Sequence, residues 1–194
     1  MILTKRSKTC RVCGNQYLPF QSTQKVCGIA CAAELGAAKT ARDAARVERK
    51  EFAARRAALK TRSGWLAEAQ VARNAVVRER DRADGCISCD KPATWQGQWH
   101  ASHYLSVGSH PALRFDMANI HKSCSVCNYH LSGNRRGYEP RLIAKIGIAE
   151  VERLESSGDA PLKITIDELE QQIVADRALL RQMVAERELN EEAA

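Results

Sequence analysis

The fold is decided by residues 85–138, which read GCISCDKPATWQGQWHASHYLSVGSHPALRFDMANIHKSCSVCNYHLSGNRRGY. This stretch holds all five histidines of the chain and four of its eight cysteines. The cysteines form two Cys-x-x-Cys pairs, Cys86 with Cys89 and Cys124 with Cys127, and 34 residues separate the pairs. Because Zn²⁺ binds four thiolates in a closed tetrahedron, this spacing predicts one structural zinc site.

The residues between the two cysteine pairs have the composition of a small β-hairpin. β-Compatible pieces lie near residues 94–104 and 118–121, and a loop with Gly108 and Pro111 joins them. A short helical turn is expected after Cys127 and must stop by Ser132-Gly133-Asn134. The predicted order is therefore strand, loop, strand and helix, held together by zinc.

A second cysteine quartet stands near the start of the chain, as Cys10-x-x-Cys13 and Cys27-x-x-x-Cys31. The segment that it encloses has too little apolar content to fold without a staple, so we predict a second four-thiolate zinc module over residues 1–31. Four unrelated free thiols and a redox-active pair are the alternatives.

The rest of the chain is predicted to be helical. Residues 32–62 form a basic helical arm that is rich in Ala, Arg, Lys and Glu. A second helix is expected to begin at the N-cap Ser63 and to end at Asp84-Gly85. Further helices are predicted over residues 139–154, broken near Gly147, and after the capping box Thr165–Glu168. The predicted fold is mainly α with small β content, in four parts: 1–31, 32–62, 63–156 and 157–194.

The positive charge of the chain lies in its first two thirds. Net charge is +7, but residues 1–63 carry 14 Lys or Arg against 4 Asp or Glu, whereas residues 139–194 carry 7 against 13. A basic front with an acidic rear predicts a polyanionic partner, and a solvated charged helix is the alternative for the basic run. With no run of 18 apolar residues and no apolar segment before the first cysteine, we expect no membrane span and a cytoplasmic location.

Several motifs together resemble the NinG/Rap recombination proteins of lambdoid phages. Those that carry the resemblance are Ser63-Gly-Trp-Leu-Ala-Glu-Ala-Gln70, Arg78-Glu-Arg-Asp-Arg82, Cys86-Ile-Ser-Cys89, Ala101-Ser-His-Tyr104, Leu113-Arg-Phe115, Asn119-Ile-His-Lys122, Cys124-x-x-Cys127-Asn128-x-His130 and Ser132-Gly-Asn134. The resemblance implies a zinc-stapled core of the HNH-like, ββα-metal kind. It also implies a structure-specific endonuclease that cuts Holliday junctions and D-loops with Mg²⁺ or Mn²⁺.

The resemblance also implies roles for individual residues. His103 occupies the position of the general base, Asn128 that of a metal ligand, and Asn119 that of the residue that orients the loop. Ser102 stands where such nucleases commonly have a metal-binding Asp, and His100 stands where this family tends to have one. His100 and His130 are the further candidate metal ligands, and imidazole favours softer ions than Mg²⁺.

Phosphate contacts are predicted for cationic residues near the active site and on the basic arm: Lys122, Arg135, Arg136, Arg46, Arg49, Lys50, Arg55 and Arg56. Trp95 and Trp99 are expected in the core or on the hairpin surface rather than stacked on bases. Branched DNA is the predicted partner, and a homodimer is expected because paired nicks need two active sites. The alternative function is a non-catalytic, zinc-dependent DNA-binding accessory protein in recombination or transcription.

Overall fold

The structure, a computed structural model, describes residues 6–192. The chain divides into two compact units, Met1–Lys60 and Thr61–Ala194. Within the described residues there are five α-helices and two sheets of two strands each. The prediction of a mainly helical fold with small β content is confirmed.

The first unit is a small hairpin followed by a long helix. Strand β1, Lys8–Thr9, pairs antiparallel with β2, Gln16–Tyr17. Helix α1, Ile29–Ala58, follows, and none of its 30 residues is buried. Because α1 buries no apolar face, its helicity rests on its alanines and long charged side chains.

The second unit begins with α2, Arg62–Arg80, which starts earlier than predicted. Thr61, not Ser63, is its N-cap, and the Thr61 hydroxyl accepts a hydrogen bond from the Gly64 N–H at 3.2 Å. The helix ends at Arg80, four residues before the predicted end at Asp84, because the Asp81 backbone leaves the helical conformation. The buried face of α2 consists of Trp65, Ala69, Ala72, Val76 and Val77.

The predicted hairpin is present with shifted boundaries. Strand β3, Trp99–His103, pairs antiparallel with β4, Ile120–Cys124, so that Trp99 faces Cys124 and His103 faces Ile120. Residues 94–98, predicted as strand, are irregular, and β4 runs three residues beyond the predicted 118–121. The loop between the strands contains a short 3₁₀ helix, Pro111–Phe115.

Helical segments complete the second unit. A single π-helical turn, Val126–His130, follows β4, and α3, Arg135–Ile146, comes next. Gly147, with φ +86°, separates α3 from α4, Ile148–Glu155, which confirms the predicted break.

The last helix, α5, covers Ile166–Glu192. Its predicted capping box is confirmed: the Glu168 N–H donates to the Thr165 hydroxyl at 3.2 Å, and the Thr165 N–H donates to the Glu168 carboxylate at 2.6 Å. Residues 157–194 were set apart in the sequence prediction, but α5 packs along α2 within the second unit, where Leu169 and Ile173 are buried.

The main core lies between the hairpin, α3 and α4. Its buried members are Ile87, Tyr104, Leu105, Leu113, Tyr138, Leu142, Val151 and Leu154. Tyr138 also donates a hydrogen bond of 2.9 Å to the Ser102 carbonyl, which ties α3 to β3. Among residues 6–192, no helix combines the length and the hydropathy needed to cross a bilayer.

Candidate functional site

The four cysteines of the second unit converge on one point. The thiol sulfurs of Cys86, Cys89, Cys124 and Cys127 all lie within 4.8 Å of one another, and none forms a disulfide. Four sulfurs bound to one Zn²⁺ at about 2.3 Å would lie about 3.8 Å apart, which the Cys89–Cys124 separation of 3.9 Å matches. The cluster therefore fits a closed structural zinc site.

Backbone N–H groups point at these sulfurs, as expected for thiolates. Cys86 Sγ accepts from the Ser88 and Cys124 N–H groups at 3.4 and 3.2 Å, and Cys124 Sγ accepts from the Cys127 N–H at 3.4 Å. Burial would raise the pKa of the Cys124 thiol, but the Cys127 N–H and the neighbouring thiols lower it on balance. These donors stabilise negative sulfur, the form that binds metal.

The first unit holds a second cluster, formed by Cys10, Cys13, Cys27 and Cys31 with sulfurs again within 4.8 Å of one another. Cys31 lies in the first turn of α1, so the cluster ties the small hairpin to that helix. Burial acts to raise the pKa of Cys10, but N–H groups of Cys13, Val12 and Cys27 outweigh it and bring that pKa to about 6. Both predicted cysteine quartets are thus assembled as possible metal sites.

The hairpin next to the four-cysteine cluster brings His100 against Asn128. The Asn128 side-chain amide lies 3.0 Å from His100 Nδ1, and both side chains are half-buried. The π-helical turn Val126–His130 carries both Cys127 of the cysteine cluster and the next residue, Asn128, so this turn places the Asn128 amide beside the cluster. His100 and Asn128 are therefore the two predicted metal ligands that the structure joins directly.

His103 does not share this contact. Side chains alternate along a strand, so His100 and Ser102 lie on one face of β3, whereas Ala101 and His103 lie on the other. The His103 Nε2 is instead 2.9 Å from the Arg114 carbonyl in the 3₁₀ helix. His103 and Asn128 were expected to converge on one ion. The structure instead pairs Asn128 with His100, because His103 lies on the opposite face of β3.

The contact with Arg114 fixes the protonation of His103. A carbonyl only accepts, so Nε2 carries the proton and Nδ1 keeps its lone pair. Burial lowers the pKa of the His103 imidazole, although the Arg114 carbonyl acts in the opposite direction. His103 is therefore a neutral imidazole at pH 7 with a defined basic nitrogen.

Asn119 is fully buried and holds the loop between the strands. Its side-chain oxygen accepts from the Leu105 N–H at 2.8 Å, and its amide donates to the Leu105 and Leu113 carbonyls at 3.0 and 3.2 Å. The loop that Asn119 fixes includes Arg114, the partner of His103. These contacts make Asn119 a positioning residue for the loop.

The other histidines have different surroundings. His130 is exposed, two residues after Asn128, and its ring lies edge-on against exposed Tyr129 at 5.2 Å. His121 is buried, with Nδ1 2.9 Å from Arg80 and Nε2 3.0 Å from the Ala118 carbonyl. His121 is thus part of the scaffold, whereas His130 faces solvent.

A buried ionic cluster that the sequence did not reveal supports β4. The Asp81 carboxylate, 2% exposed, accepts from the Lys122 backbone N–H at 3.0 Å and from the Lys145 ammonium at 2.8 Å. Arg80 forks onto the same carboxylate at 2.7 and 2.8 Å and also donates to the Met117 and Ile120 carbonyls. The only sequence signal was the charged run 78–82, because Lys145 is 64 residues away.

The start of α3 is docked on the first cysteine pair. The Ser88 hydroxyl donates to the Gly133 carbonyl at 3.0 Å, and the Asn134 amide donates to the Ser88 carbonyl at 2.6 Å. A Cβ at Gly137 would lie 2.2 Å from that same Ser88 oxygen, so only glycine fits there. The Ser132-Gly133-Asn134 motif thus joins the zinc site to α3.

The predicted phosphate contacts differ in their availability. The Lys122 side chain is buried, donates to the Arg82 carbonyl at 2.9 Å, and lies 4.4 Å from the centroid of Trp99. The Arg135 guanidinium forms an ion pair with the Glu155 carboxylate at 2.7 Å, whereas Arg136 is exposed. The prediction that Lys122 contacts phosphate at the surface is therefore wrong, because its ammonium is buried and hydrogen-bonded to the Arg82 carbonyl.

The predicted basic residues of α1 are all exposed. Arg46 and Arg55 approach Asp43 and Glu51 at 3.9 and 3.4 Å, and such exposed pairs are weak. All five predicted basic residues of α1 are therefore accessible, and so are Lys39 and Arg42 on the same helix.

Comparison with known proteins gives a consistent family. The family model described as NinG, bacteriophage Lambda NinG protein, matches residues 2–187. The protein ninG of Salmonella phage P22 is 52% identical over 102 residues, which cover 53% of this chain and 49% of that protein. The protein ninG of Escherichia phage lambda is 48% identical over 103 residues, which cover 53% of this chain and 50% of that protein.

The chain spans about half the length of the curated relatives it matches. No solved structure matches it. Because the family model covers most of the sequence and the curated relatives agree with it, the resemblance inferred from the motifs is confirmed, and the chain belongs to the phage NinG family.

Proposed function

We propose that this protein is a metal-dependent DNA endonuclease that acts on branched recombination intermediates such as Holliday junctions and D-loops. The observation that carries the proposal is the 3.0 Å approach of the Asn128 amide to His100 Nδ1, next to a four-cysteine site. In the order strand, strand and helical turn, two side chains able to bind a metal meet beside the structural site. That order is the one expected of a ββα-metal nuclease core.

The pair fits a divalent ion with an incomplete protein ligand set. Asn128 offers an amide oxygen and His100 an imidazole nitrogen, and the two groups are close enough to bind one ion after rotation of the amide. Within residues 6–192, only the two cysteine clusters bring three or more Cys, His, Asp or Glu ligand atoms together. A site with two protein ligands leaves positions for water and phosphate, as catalytic sites require.

When bound, the ion would neutralise charge on the scissile phosphate and assist the leaving oxygen. An imidazole in place of a carboxylate favours Mn²⁺ and other borderline ions over Mg²⁺. We therefore expect Mn²⁺ to support cleavage better than Mg²⁺.

His103 is the proposed proton acceptor. Its Nδ1 lone pair is fixed by the bond from Nε2 to the Arg114 carbonyl, and its lowered pKa keeps the ring neutral at pH 7. His130 is the competing acceptor, because it is exposed and follows Asn128 by two residues.

A non-catalytic, zinc-dependent DNA-binding accessory protein is the second candidate. The placement of His103 on the strand face opposite His100 favours it, because a binder needs no convergence of base and metal. The exposed basic side chains of α1 are compatible with both functions, since phosphate contacts serve binding as well as cleavage.

A synthetic four-way junction separates the two candidates. The zinc-loaded protein is incubated with labelled junction and either Mn²⁺ or Mg²⁺, and both binding and nicking are measured. We expect nicking that is lost in Asn128→Ala, with junction binding retained. His110→Ala is the matched control and should keep full activity, because the His110 ring forms a hydrogen bond with the neighbouring Ser109 hydroxyl and is not among the proposed metal or base residues.

Junction binding without nicking in either metal would favour the accessory protein. Separate His103→Ala and His130→Ala variants identify the proton acceptor, since only loss of the true base should remove the ionisation from the pH–rate profile. We also propose a homodimer, which sedimentation of the active protein would test, because two nicks on one junction need two sites.

A further inference from the structure

A groove on the second unit lies away from the His100–Asn128 pair. The C-terminal part of α2, the irregular segment 93–98 with the start of β3, and α5 enclose it, and its volume is about 690 Å³. That volume is within the range of pockets that hold small ligands, about 300–1,000 Å³. The function proposed above does not use this groove.

Two tryptophans form one wall of the groove. Trp95 and Trp99 are half-buried and meet edge to face, with ring centroids 5.2 Å apart and planes at 82°. On the opposite wall, Leu180 and Val184 of α5 complete an apolar lining. The groove therefore offers aromatic and aliphatic surface to a flat ligand.

The position of Trp95 depends on Gly97. A Cβ built on Gly97 would lie 2.1 Å from the Trp95 ring, so the indole packs directly on the glycine backbone. Gly97→Ala would have to displace the Trp95 ring without removing a charge or a zinc ligand. Trp95 also packs against the cluster of Cys86, Cys124 and Cys127, so the zinc content of this variant must match that of the unmodified chain before its binding is compared.

The rim of the groove is positively charged. Arg78 and Arg82 line it, and within residues 6–192 neither has a carboxylate partner. Lys122 also lines the groove, and its ammonium adds positive charge 4.4 Å from the Trp99 ring centroid. Glu79, the acidic residue of the lining, is already paired with Arg187 at 2.9 Å.

In contrast to the expectation from sequence that Trp95 and Trp99 do not stack on bases, we propose that this groove binds an unstacked nucleobase of single-stranded DNA, with Arg78 and Arg82 contacting the adjoining phosphates. Aromatic faces beside unpaired cations are what single-strand sites use, because every base has a face to stack and every link carries a negative charge. A purely apolar ligand would leave the two guanidinium groups unmatched. A base paired within a duplex cannot present its face to the wall.

The inference rests on the proposed function in one respect, namely that DNA is the substrate. It adds that the protein recognises branched DNA by a base that is free to leave the stack. A D-loop contains a displaced single strand, and base pairs at a junction crossing can lose a stacking neighbour and so open more easily than those inside a duplex. The groove would therefore select those structures over continuous duplex.

Tryptophan fluorescence tests the groove directly. All three tryptophans lie in the second unit, so the basic α1 contributes none of the signal. A twelve-nucleotide oligothymidylate is titrated into the full zinc-loaded chain without added Mg²⁺ or Mn²⁺. We expect saturable quenching of the emission, and much weaker quenching by a twelve-base-pair duplex.

Three variants make the result specific. Gly97→Ala should raise the dissociation constant measured by quenching about 5- to 100-fold, the range for loss of one stacked base. Arg82→Gln should raise it about fivefold at 0.1 M salt, as expected for one phosphate contact to a single strand. Lys163→Gln removes one positive charge next to Ile164, which contacts Arg62 at the other end of α2, and should have little effect.

The proposal is overturned if oligothymidylate does not quench the emission, or if Gly97→Ala and Arg82→Gln both bind like the unmodified chain. Arg82→Gln decides the matter even if Gly97→Ala fails to fold, since Arg82 is exposed. Quenching without junction cleavage would refute the endonuclease and keep the groove. Cleavage without quenching would refute the groove and keep the endonuclease.

Discussion

Replacement of Asp81 by Asn is expected to weaken the support of the candidate site. The Asp81 side chain is 2% exposed, and its carboxylate joins three parts of the second unit: Arg80 at the end of α2, the Lys122 backbone in β4, and Lys145 in α3. The carboxamide of the Asp81→Asn variant would retain the shape and one acceptor oxygen. The substitution would remove the negative charge to which two cations are bonded.

The magnitude follows from those contacts. Breaking a buried ion pair by removing one partner costs about 3–5 kcal/mol. Lys145 keeps a second partner, Asp84 at 2.7 Å, and Arg80 keeps two carbonyls, so the lower end of this range applies. We expect the free energy of unfolding to fall by about 3 kcal/mol, and the melting temperature by about 6–12 °C.

The pH dependence of this loss has a defined sign. Burial would raise the pKa of Asp81, but the hydrogen bonds from Arg80, His121 and Lys145 hold it well below its usual range. A depressed carboxyl pKa stabilises the folded state above the unfolded value of about 3.9, and this contribution is lost as pH falls toward the folded value. The difference between the wild type and Asp81→Asn should thus be constant from about pH 5 to 8 and shrink below about pH 4.

Urea unfolding followed by circular dichroism measures the effect. Asp90→Asn is the matched control, because Asp90 pairs with Arg141 while its side chain is 98% exposed. Exposed pairs contribute at most about 1 kcal/mol, so the control should be nearly neutral. Equal midpoints for Asp81→Asn and Asp90→Asn would refute the assignment of Asp81 as the buried anchor of β4.

Other expected results concern zinc, DNA affinity and packing. Cys86→Ser should lower bound zinc from two equivalents to one and lower the melting temperature of the second unit, and an unchanged zinc content by atomic absorption would contradict the four-thiolate site. Arg49→Gln, Lys50→Gln and Arg56→Gln together should reduce the salt slope of junction binding by up to about 3 in filter binding, whereas an unchanged slope would mean that α1 does not contact phosphates. Gly137→Ala should lower the free energy of unfolding by about 1–3 kcal/mol, because its methyl group would lie 2.2 Å from the Ser88 carbonyl oxygen. Gly36→Ala, on the open surface of α1, should instead raise it by up to about 1 kcal/mol. Thermal melts in which both variants behave alike would exclude the Gly137–Ser88 contact.

Local patterns were sufficient to predict the scaffold of the protein. Both cysteine quartets are assembled as their spacing indicated, since two pairs of closely spaced cysteines can meet only in a few ways. The Thr165–Glu168 capping box and the break at Gly147 also depend on neighbouring residues alone. Such features are encoded within a few positions of the chain.

The details of the site depend on long-range geometry. Whether Asn128 meets His100 or His103 is set by where β3 begins, because a shift of one residue moves every side chain to the other face. The composition of residues 94–98 predicts a strand, but the segment is irregular and the Trp95 ring lies over Gly97, two residues along the chain, which a regular strand does not allow. The bond from Asp81 to Lys145 joins residues 64 positions apart, and no local pattern indicates it.

The most direct test of a catalytic ion at His100 and Asn128 is the metal preference of His100→Asp. Single-turnover nicking of a four-way junction is measured with Mn²⁺ and with Mg²⁺ for the wild type and the variant. A carboxylate favours Mg²⁺ more than an imidazole does, so the ratio of the Mg²⁺ rate to the Mn²⁺ rate should rise at least about tenfold in the variant. An unchanged ratio, with both proteins active and both retaining two zinc ions, would contradict metal binding by His100.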